Sequence, residues 1–343
     1  MRLLVAGGCG FAGSAFVRLL LGSPGHQILN VDRLTYAANP DALARRSGPD
    51  RYRLLQLDIV DTSAIQAALD SFRPDALVNF AAESHVDRSI TSADVFLHTN
   101  VLGTHSLLKA ASDYHRGLGP TEAARFRYLQ VSTDEVYGDR DGLPPASVGC
   151  AYRPSSPYAA SKAAGDHLVQ AWIRTHGLPA LVTHCSNNYG PWQFPEKLVP
   201  LTIRRALAGL ALPIYGDGQQ TRDWIHVDDH ARAVLAALTR GQPGHTYAFS
   251  SGNRLSNLDL VRQVCAALDR LQPASGGRQS HAELIQHVAD RAGHDRHYAL
   301  DDSASRAELG WQPRLGFDQG LHDTVRWHVE HPREHASSTQ TQP

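Results

Sequence analysis

Cysteine is scarce and scattered. The four copies, Cys9, Cys150, Cys185 and Cys265, form no CxxC pair and no pattern of a disulfide framework. This excludes a small disulfide-held scaffold and makes a reducing cytoplasm the expected setting. Neither sign of charge is in excess. A formal net charge of -1 supplies no general field that would draw nucleic acid or an anionic membrane, so basic groups act only locally. Long apolar runs are also missing, and no uninterrupted stretch reaches bilayer-spanning length. The apolar start "MRLLVAGGCGFAGSAFVRLLLG" is interrupted by glycines and by Arg18, which argues against a signal peptide. Nineteen histidines bring no HExxH or similar ligand spacing, so no metal site is expected. Nor is there a repeat of solenoid period.

What remains is ordinary globular material: 343 residues, 42% apolar and 20% charged, enough for a large core in one α/β unit with a smaller companion. Strand-like runs alternate with helix-length segments: "RLLVAGG", "SAFVRLLL", "QILNVD", "TSAIQAALDSF", "ALVNFAAES", "NVLGTHSLLKAASDYH", "RFRYLQVST", "SPYAASKAAGDHLVQAWIRTHG", "PALVTHCSNNYGP". Such alternation predicts βαβ units and a Rossmann-like, doubly wound parallel sheet. After Pro191 the elements become shorter and mixed, which predicts a smaller α/β domain closing over the carboxyl edge of the sheet. The expected division is 1–190 for the sheet domain, 191–330 for the smaller one, and a polar, aperiodic tail over 331–343.

"GGCGFAG" sets Gly7, Gly10 and Gly13 directly after the first strand and at the opening of a helix. Tight turning and close approach of backbone amides to a pyrophosphate need glycine, and the helix amino end offers unpaired N–H donors. The second strand ends in Asp32, nineteen residues beyond Gly13. An acid there hydrogen-bonds the adenosine ribose and repels a 2′-phosphate, which favours NAD; Arg33 beside it pulls the other way. Asp58 after the third strand suits the adenine edge, and Ala81 and Ala82 after the fourth leave room for a cofactor backbone. Each of these also has a plain reading as a strand end or a packing detail.

In "YLQVSTDEVYG" the fifth strand runs into Thr133, Asp134 and Glu135, where a parallel sheet holds its ligands. A strand-end turn with solvated acids is the bland alternative. "YAASK" places Tyr158 and Lys162 one helical turn apart on one face. There the lysine is expected to lower the phenol's pKa, so that the tyrosine exchanges a proton near neutrality. A surface Tyr/Lys pair would share that spacing.

With these residues in place the chain resembles the extended short-chain dehydrogenase/reductase family, from about residue 2 to about residue 328. The motifs that carry the likeness are "LTYAANPDAL", "AAESHVDRSI", "VSTDEVYG", "SPYAASKAAGDHLV", "SNNYGPWQFPEKLVPL", "LPIYGDGQQTRDWIHVDDHARA" and "DRAGHDRHYALD". The resemblance implies NAD-dependent dehydration of a nucleotide-diphosphate sugar, with dTDP-glucose the expected substrate and deoxysugar synthesis the setting. It implies that Tyr158 takes the O4 proton as hydride leaves C4 for NAD, and that Thr133 orients O4. Glu135 then removes the C5 proton while protonated Asp134 releases the C6 hydroxyl as water, and the hydride returns to C6.

By the same resemblance Phe11, Ala12, Leu34, Thr35, Ile59 and Thr99 meet the cofactor, with Ser84 and Asn188 at its sugar side and Lys162 on the nicotinamide ribose. His85 and Asn187 face the substrate. Lys197, Leu198, Pro213, Ile214, Tyr215 and Asn257 surround the nucleotide, and Arg222, Arg291 and His294 neutralise the diphosphate. A homodimer is implied, through helices near residues 100–115 and 158–175.

The chain departs from the family pattern at several points. Ala12 stands where a bulkier residue is usual, His184 where arginine is frequent, and Ala292 where proline is usual. The loop "LPPASVGCAYRPSSPY" lacks the customary Thr-Glu, and "YAFSSGNR" departs too. Two other readings stay open at this point: a nucleotide-sugar 4-epimerase, a decarboxylase or a dehydratase acting on another nucleotide sugar, and a non-catalytic NAD-binding sensor or scaffold.

Overall fold

The computed structural model describes residues 1–43, 48 and 50–332; of the expected tail, residues 333–343 lie outside that range. Twelve strands occur among the described residues: β1 Arg2–Ala6, β2 Gln27–Asp32, β3 Tyr52–Gln56, β4 Ala76–Asn79, β5 Arg127–Val131, β6 Ala180–Cys185, β7 Asn187–Tyr189, β8 Leu212–Tyr215, β9 Thr221–His226, β10 Thr246–Phe249, β11 Arg254–Ser256 and β12 Ile285–Val288. Seven form one sheet in the order β10-β6-β5-β4-β1-β2-β3, with every pair parallel. The order reverses between β1 and β4, and the crevice at that switch point is where an open α/β sheet takes its ligands.

The central strands are continuous apolar runs because helices cover both faces. On one face Phe16, Val17 and Leu20 pack with Val234, Ala237 and Leu238; on the other Ile65 and Leu69 pack with Leu107, Leu108 and Tyr128. The polar side chains inside the sheet are paired: Asn79 donates to Gln130 at 3.0 Å, and Tyr128 donates to the same oxygen at 2.8 Å. One stretch, Leu97–Gly103, takes the wider π winding before the regular helix Thr104–Arg116 continues it. Its Asn100 accepts from the Glu83 amide at 2.9 Å and donates to Ser161 at 2.9 Å, tying the loop after β4 to the helix Pro157–His176.

The smaller layer gathers on its own core of Tyr189, Ile203, Ile214, Leu260, Val264 and Leu321, under the sheets β11-β9-β7 and β12-β8. The fold crosses the sequence division at residue 190. Helix Val227–Arg240 packs with the first core, and β10 joins the large sheet beside β6. The chain after Pro191 therefore serves both layers.

Candidate active site

One continuous cleft runs from the β1–β4 switch point, past the carboxyl ends of β5 and β6, into the smaller layer. At its first end the glycines act by different means. A Cβ on Gly7, whose φ is +77°, would sit 2.5 Å from the Ala81 nitrogen, and one on Gly13 would sit 2.2 Å from the Gly7 oxygen. Neither position tolerates a side chain, and Gly10 leaves the floor open. Gly10 also caps the helix Phe11–Leu21 without any side-chain acceptor, so the first amides of that helix, at Phe11, Ala12 and Gly13, face the cleft as anion-binding donors.

Asp32 is buried and accepts from the amides of Cys9 at 2.9 Å and Leu34 at 2.8 Å. Burial raises its pKa and the two amides oppose the rise. Arg33 pairs with Asp58 at 3.2 Å, which commits the cation that might have received a 2′-phosphate. Thr35, Ile59, Ala81, Ala82 and Thr99 line the same end with Arg33 and Asp58. Leu34 holds φ +61° at the rim and contributes backbone rather than lining side chain.

The centre is the turn after β5. Thr133 caps the 3-10 turn Asp134–Tyr137 by accepting from the Glu135 amide at 3.3 Å, and its hydroxyl donates to Asp134 at 3.2 Å. Asp134 is 4% exposed, and its second oxygen has no partner. Burial, with the Glu135 charge behind it, lifts Asp134 to about 8, so it is mostly protonated at neutral pH. Glu135 is only partly buried and is also raised by burial, but the cations of Arg222, Arg291 and Lys197 pull against that rise. Adjacent carboxyls thus sit in different fields, the condition under which one keeps its proton and the other gives it up.

Tyr158 and Lys162 both line this centre. The expected lowering of the tyrosine pKa does not hold in the free chain. Burial and then the Glu135 charge push Tyr158 upward against a hydrogen bond with Thr133, while Lys162 spends its ammonium on the Val131 carbonyl at 2.8 Å. The chain holds three lysines, Lys109, Lys162 and Lys197, and two of them lie in the cleft.

At the far end the predicted residues Ser84, His85, Asn187, Lys197, Leu198, Pro213, Ile214, Tyr215, Arg222, Asn257, Arg291 and His294 all line one wall or another. Asn188 lines the middle. Arg222 is buried and fixed by the Asp295 carbonyl at 2.8 Å and by the Tyr298 ring 4.1 Å away. Arg291 meets Asp87 at 3.2 Å, and Lys197 donates to the Ser84 carbonyl at 2.8 Å. Burial lowers the pKa of His294, so this ring enters neutral, with Asp290 on its Nδ1 at 2.6 Å. His85 is likewise lowered, to about 4. Neither histidine supplies positive charge, which leaves Arg222, Arg291 and Lys197 as the cations of this end.

Sequence reasoning missed Gln193, Glu196, Trp224, His230 and Tyr298 in the cleft lining. Glu196 had a signal, standing beside Lys197 in "PEKLVP". Tyr298 had none, because it reaches Arg222 only through the fold.

The family model described as GDP-mannose 4,6 dehydratase matches residues 4–324. The dTDP-glucose 4,6-dehydratase of Shigella flexneri is 48% identical over 338 residues, covering 96% of this chain and 93% of that protein. The chain belongs to the dTDP-glucose 4,6-dehydratase family. Among solved structures, the dTDP-glucose 4,6-dehydratase DesIV of Streptomyces venezuelae, with NAD and TYD bound, has TM-score 0.89 at 42% identity and covers 99% of this chain and 100% of that one. The UDP-glucose 4-epimerase of Thermotoga maritima, with UDP-glucose, has TM-score 0.84 at 25% identity, covering 97% and 100%. The departures from the dTDP-glucose 4,6-dehydratase family pattern leave every chemical group of the central turn in place. His184 and the loop before Ser155 lie under that turn; Ala12 lies at the helix end that faces the cleft.

Proposed function

We propose that this cleft converts dTDP-glucose to dTDP-4-keto-6-deoxyglucose, with NAD bound throughout, as a step in deoxysugar biosynthesis. The observation that carries this reading is the unlike acid pair, Asp134 mostly protonated and Glu135 held among cations. The fold alone would suit an epimerase, but a 4-epimerase has use for Thr133, Tyr158 and Lys162 and none for two adjacent acids. A scaffold that merely holds NAD has no use for the acid pair.

The residues fit NAD: a glycine floor without room for side chains, unpaired helix amides for the pyrophosphate, Asp32 for the ribose, and an Arg33 engaged by Asp58. Held by these residues, NAD would supply the hydride acceptor for sugar C4 and the hydride donor for C6. Tyr158 accepts the O4 proton and, because C4 stays a ketone, releases it to solvent before the next turnover; Thr133 orients that oxygen, and Lys162, one helical turn away, offsets the phenolate charge. Glu135 removes the C5 proton, which the neighbouring ketone acidifies, while Asp134 delivers its proton to O6 so that water leaves; Glu135 then gives its proton back to C5 as C6 receives hydride, and Asp134 is reprotonated from solvent. Arg222, Arg291 and Lys197 hold the diphosphate. Leu198, Pro213, Ile214 and Tyr215 flank the base, with Asn257 and His294 beside the nucleotide. Asn187, Ser84 and His85 meet the sugar, and Asn188 faces the cofactor. The large layer carries the cofactor and the chemistry, and the smaller one mainly the nucleotide.

The test is to incubate the purified protein with dTDP-glucose and no added reductant. A product lighter by one water and bearing a C4 ketone is expected; its absence from protein that retains NAD overturns the reading, and parallel UDP- and GDP-glucose incubations fix the nucleotide.

The working form is a cytoplasmic homodimer. Val95, Leu97 and Leu102, on the helical run Asp94–Gly103, are 39%, 50% and 55% exposed, and Ile90 on the short helix before it is 44% exposed, apolar surface that a second copy would cover. No helix among the described residues is long and apolar enough to cross a membrane. Light scattering should give twice the chain mass, falling to one chain mass in Leu97→Arg/Leu102→Arg; a monomeric parent protein refutes the dimer.

A further inference from the structure

The residues on either side of the acid pair are bound into a single buried set of side chains. Ser132 immediately precedes Thr133, and its hydroxyl donates to Asp166 at 2.7 Å. Tyr137 ends the turn, and its hydroxyl meets His184 Nδ1 at 2.7 Å. His184 Nε2 in turn lies 3.1 Å from Asp166 and 3.1 Å from the Tyr152 hydroxyl. His184, Asp166 and Tyr137 are each 1% exposed or less.

Asp166 stands four residues beyond Lys162 and eight beyond Tyr158 on the helix Pro157–His176, so it belongs to the face that carries the tyrosine and lysine. Because a carboxylate only accepts, a neutral His184 carries its proton on Nε2, directed at Asp166, and receives the Tyr137 hydroxyl on Nδ1. Backbone contacts reinforce the set from the loop that carries Tyr152. The Arg153 amide donates to the Val136 carbonyl at 2.9 Å, and a Cβ on Gly138, at φ +69°, would lie 2.0 Å from the Arg153 oxygen. Turn, helix and loop therefore meet at one imidazole.

We propose that Asp166, His184 and Tyr152 are positioning residues that hold the Asp134–Glu135 turn in fixed register with the Tyr158–Lys162 helix. The inference rests on the dehydratase reading. Its physical basis is that O4, C5 and C6 belong to one sugar ring. Oxidation needs the helix face and Thr133 at the head of the turn, whereas elimination also needs the acid pair, farther along the turn, placed against both. Misplacement of about 1 Å costs on the order of 100-fold in rate. Loosening the set should therefore damage the second step more than the first. A network that served only stability would slow both steps alike or neither.

The test compares His184→Leu, which removes the contacts with Tyr137, Asp166 and Tyr152, with His184→Gln, whose amide can still donate to Asp166 and accept from Tyr137. Tyr137→Phe serves as a second probe that keeps the ring packing. Each protein is mixed with dTDP-glucose in a single turnover, and cofactor reduction and product release are followed separately. His184→Leu should slow release of the 4-keto-6-deoxy product at least about tenfold while cofactor reduction changes little, so reduced cofactor builds up. His184→Gln should recover most of the loss, and Tyr137→Phe should lose elimination in part. Equal slowing of both steps, or normal product release in folded His184→Leu and Tyr137→Phe, overturns the proposal. If His184→Leu does not fold, the same partition read in Tyr137→Phe decides. The unmodified protein separates the two failures: if it makes no product, the dehydratase reading itself falls.

Discussion

Tyr158→Phe is expected to lower turnover about 1000-fold, within the range that one positioned proton-transfer group supplies, and to leave bound cofactor oxidised after mixing with dTDP-glucose. The substitution removes one oxygen from a ring that is 8% exposed and packs edge-on to Phe96 at 6.4 Å. Shape and burial are therefore retained, and thermal unfolding should be almost unchanged. Without the phenol the O4 proton has no acceptor, and the first step stops before elimination can begin. Stopped-flow absorbance of reduced nicotinamide reads this directly, and a burst as large as that of the unmodified protein would remove Tyr158 from the role proposed for it.

Asp134→Asn and Glu135→Gln should behave oppositely: oxidation at C4 proceeds, elimination stalls, and reduced cofactor accumulates with product formation down on the order of 100-fold or more. Unchanged product formation in both variants would dismiss the assigned roles. The acid step also carries a pH signature. Asp134 is raised to about 8, so its proton is present through neutrality and is lost as pH climbs through that value, and elimination should fall on that alkaline limb.

Stability follows the same sign. A carboxyl whose folded pKa lies above its unfolded value contributes most below the unfolded pKa, and this contribution is lost as pH rises through the folded one. The unmodified protein should therefore lose stability relative to Asp134→Asn between roughly pH 4 and pH 8, with the variant melting higher at neutral pH although it is catalytically poor. Melting curves at both ends of that window, showing a constant gap between the two proteins, would contradict the assignment.

The strand–helix alternation made the large sheet legible, because period and punctuation are local properties. So were the glycine turn, Asp32 and the Tyr158–Lys162 spacing, each fixed by a few neighbouring positions. The return of β10 to the large sheet was not legible, since a four-residue apolar strand carries no mark of which sheet it joins. Charge states were the other blind spot. His294 reads as a cation in sequence, but burial lowers its pKa; Tyr158 reads as an acidified phenol, but burial and then the Glu135 charge push it upward. Partners such as Tyr298 for Arg222, or Tyr152 for His184, come from distant parts of the chain, and only the fold brings them together.

The chain's thirty-three basic residues include only three lysines, and of these only Lys109 lies on a solvent-facing helix surface away from the cleft. Arginine does almost all the outward electrostatic work. The side-chain amines left for acylation are therefore Lys109 and the two lysines of the cleft. An amine-reactive label meets an almost blank exterior, so the extent to which Lys162 and Lys197 escape modification becomes a gauge of how fully the cleft is filled.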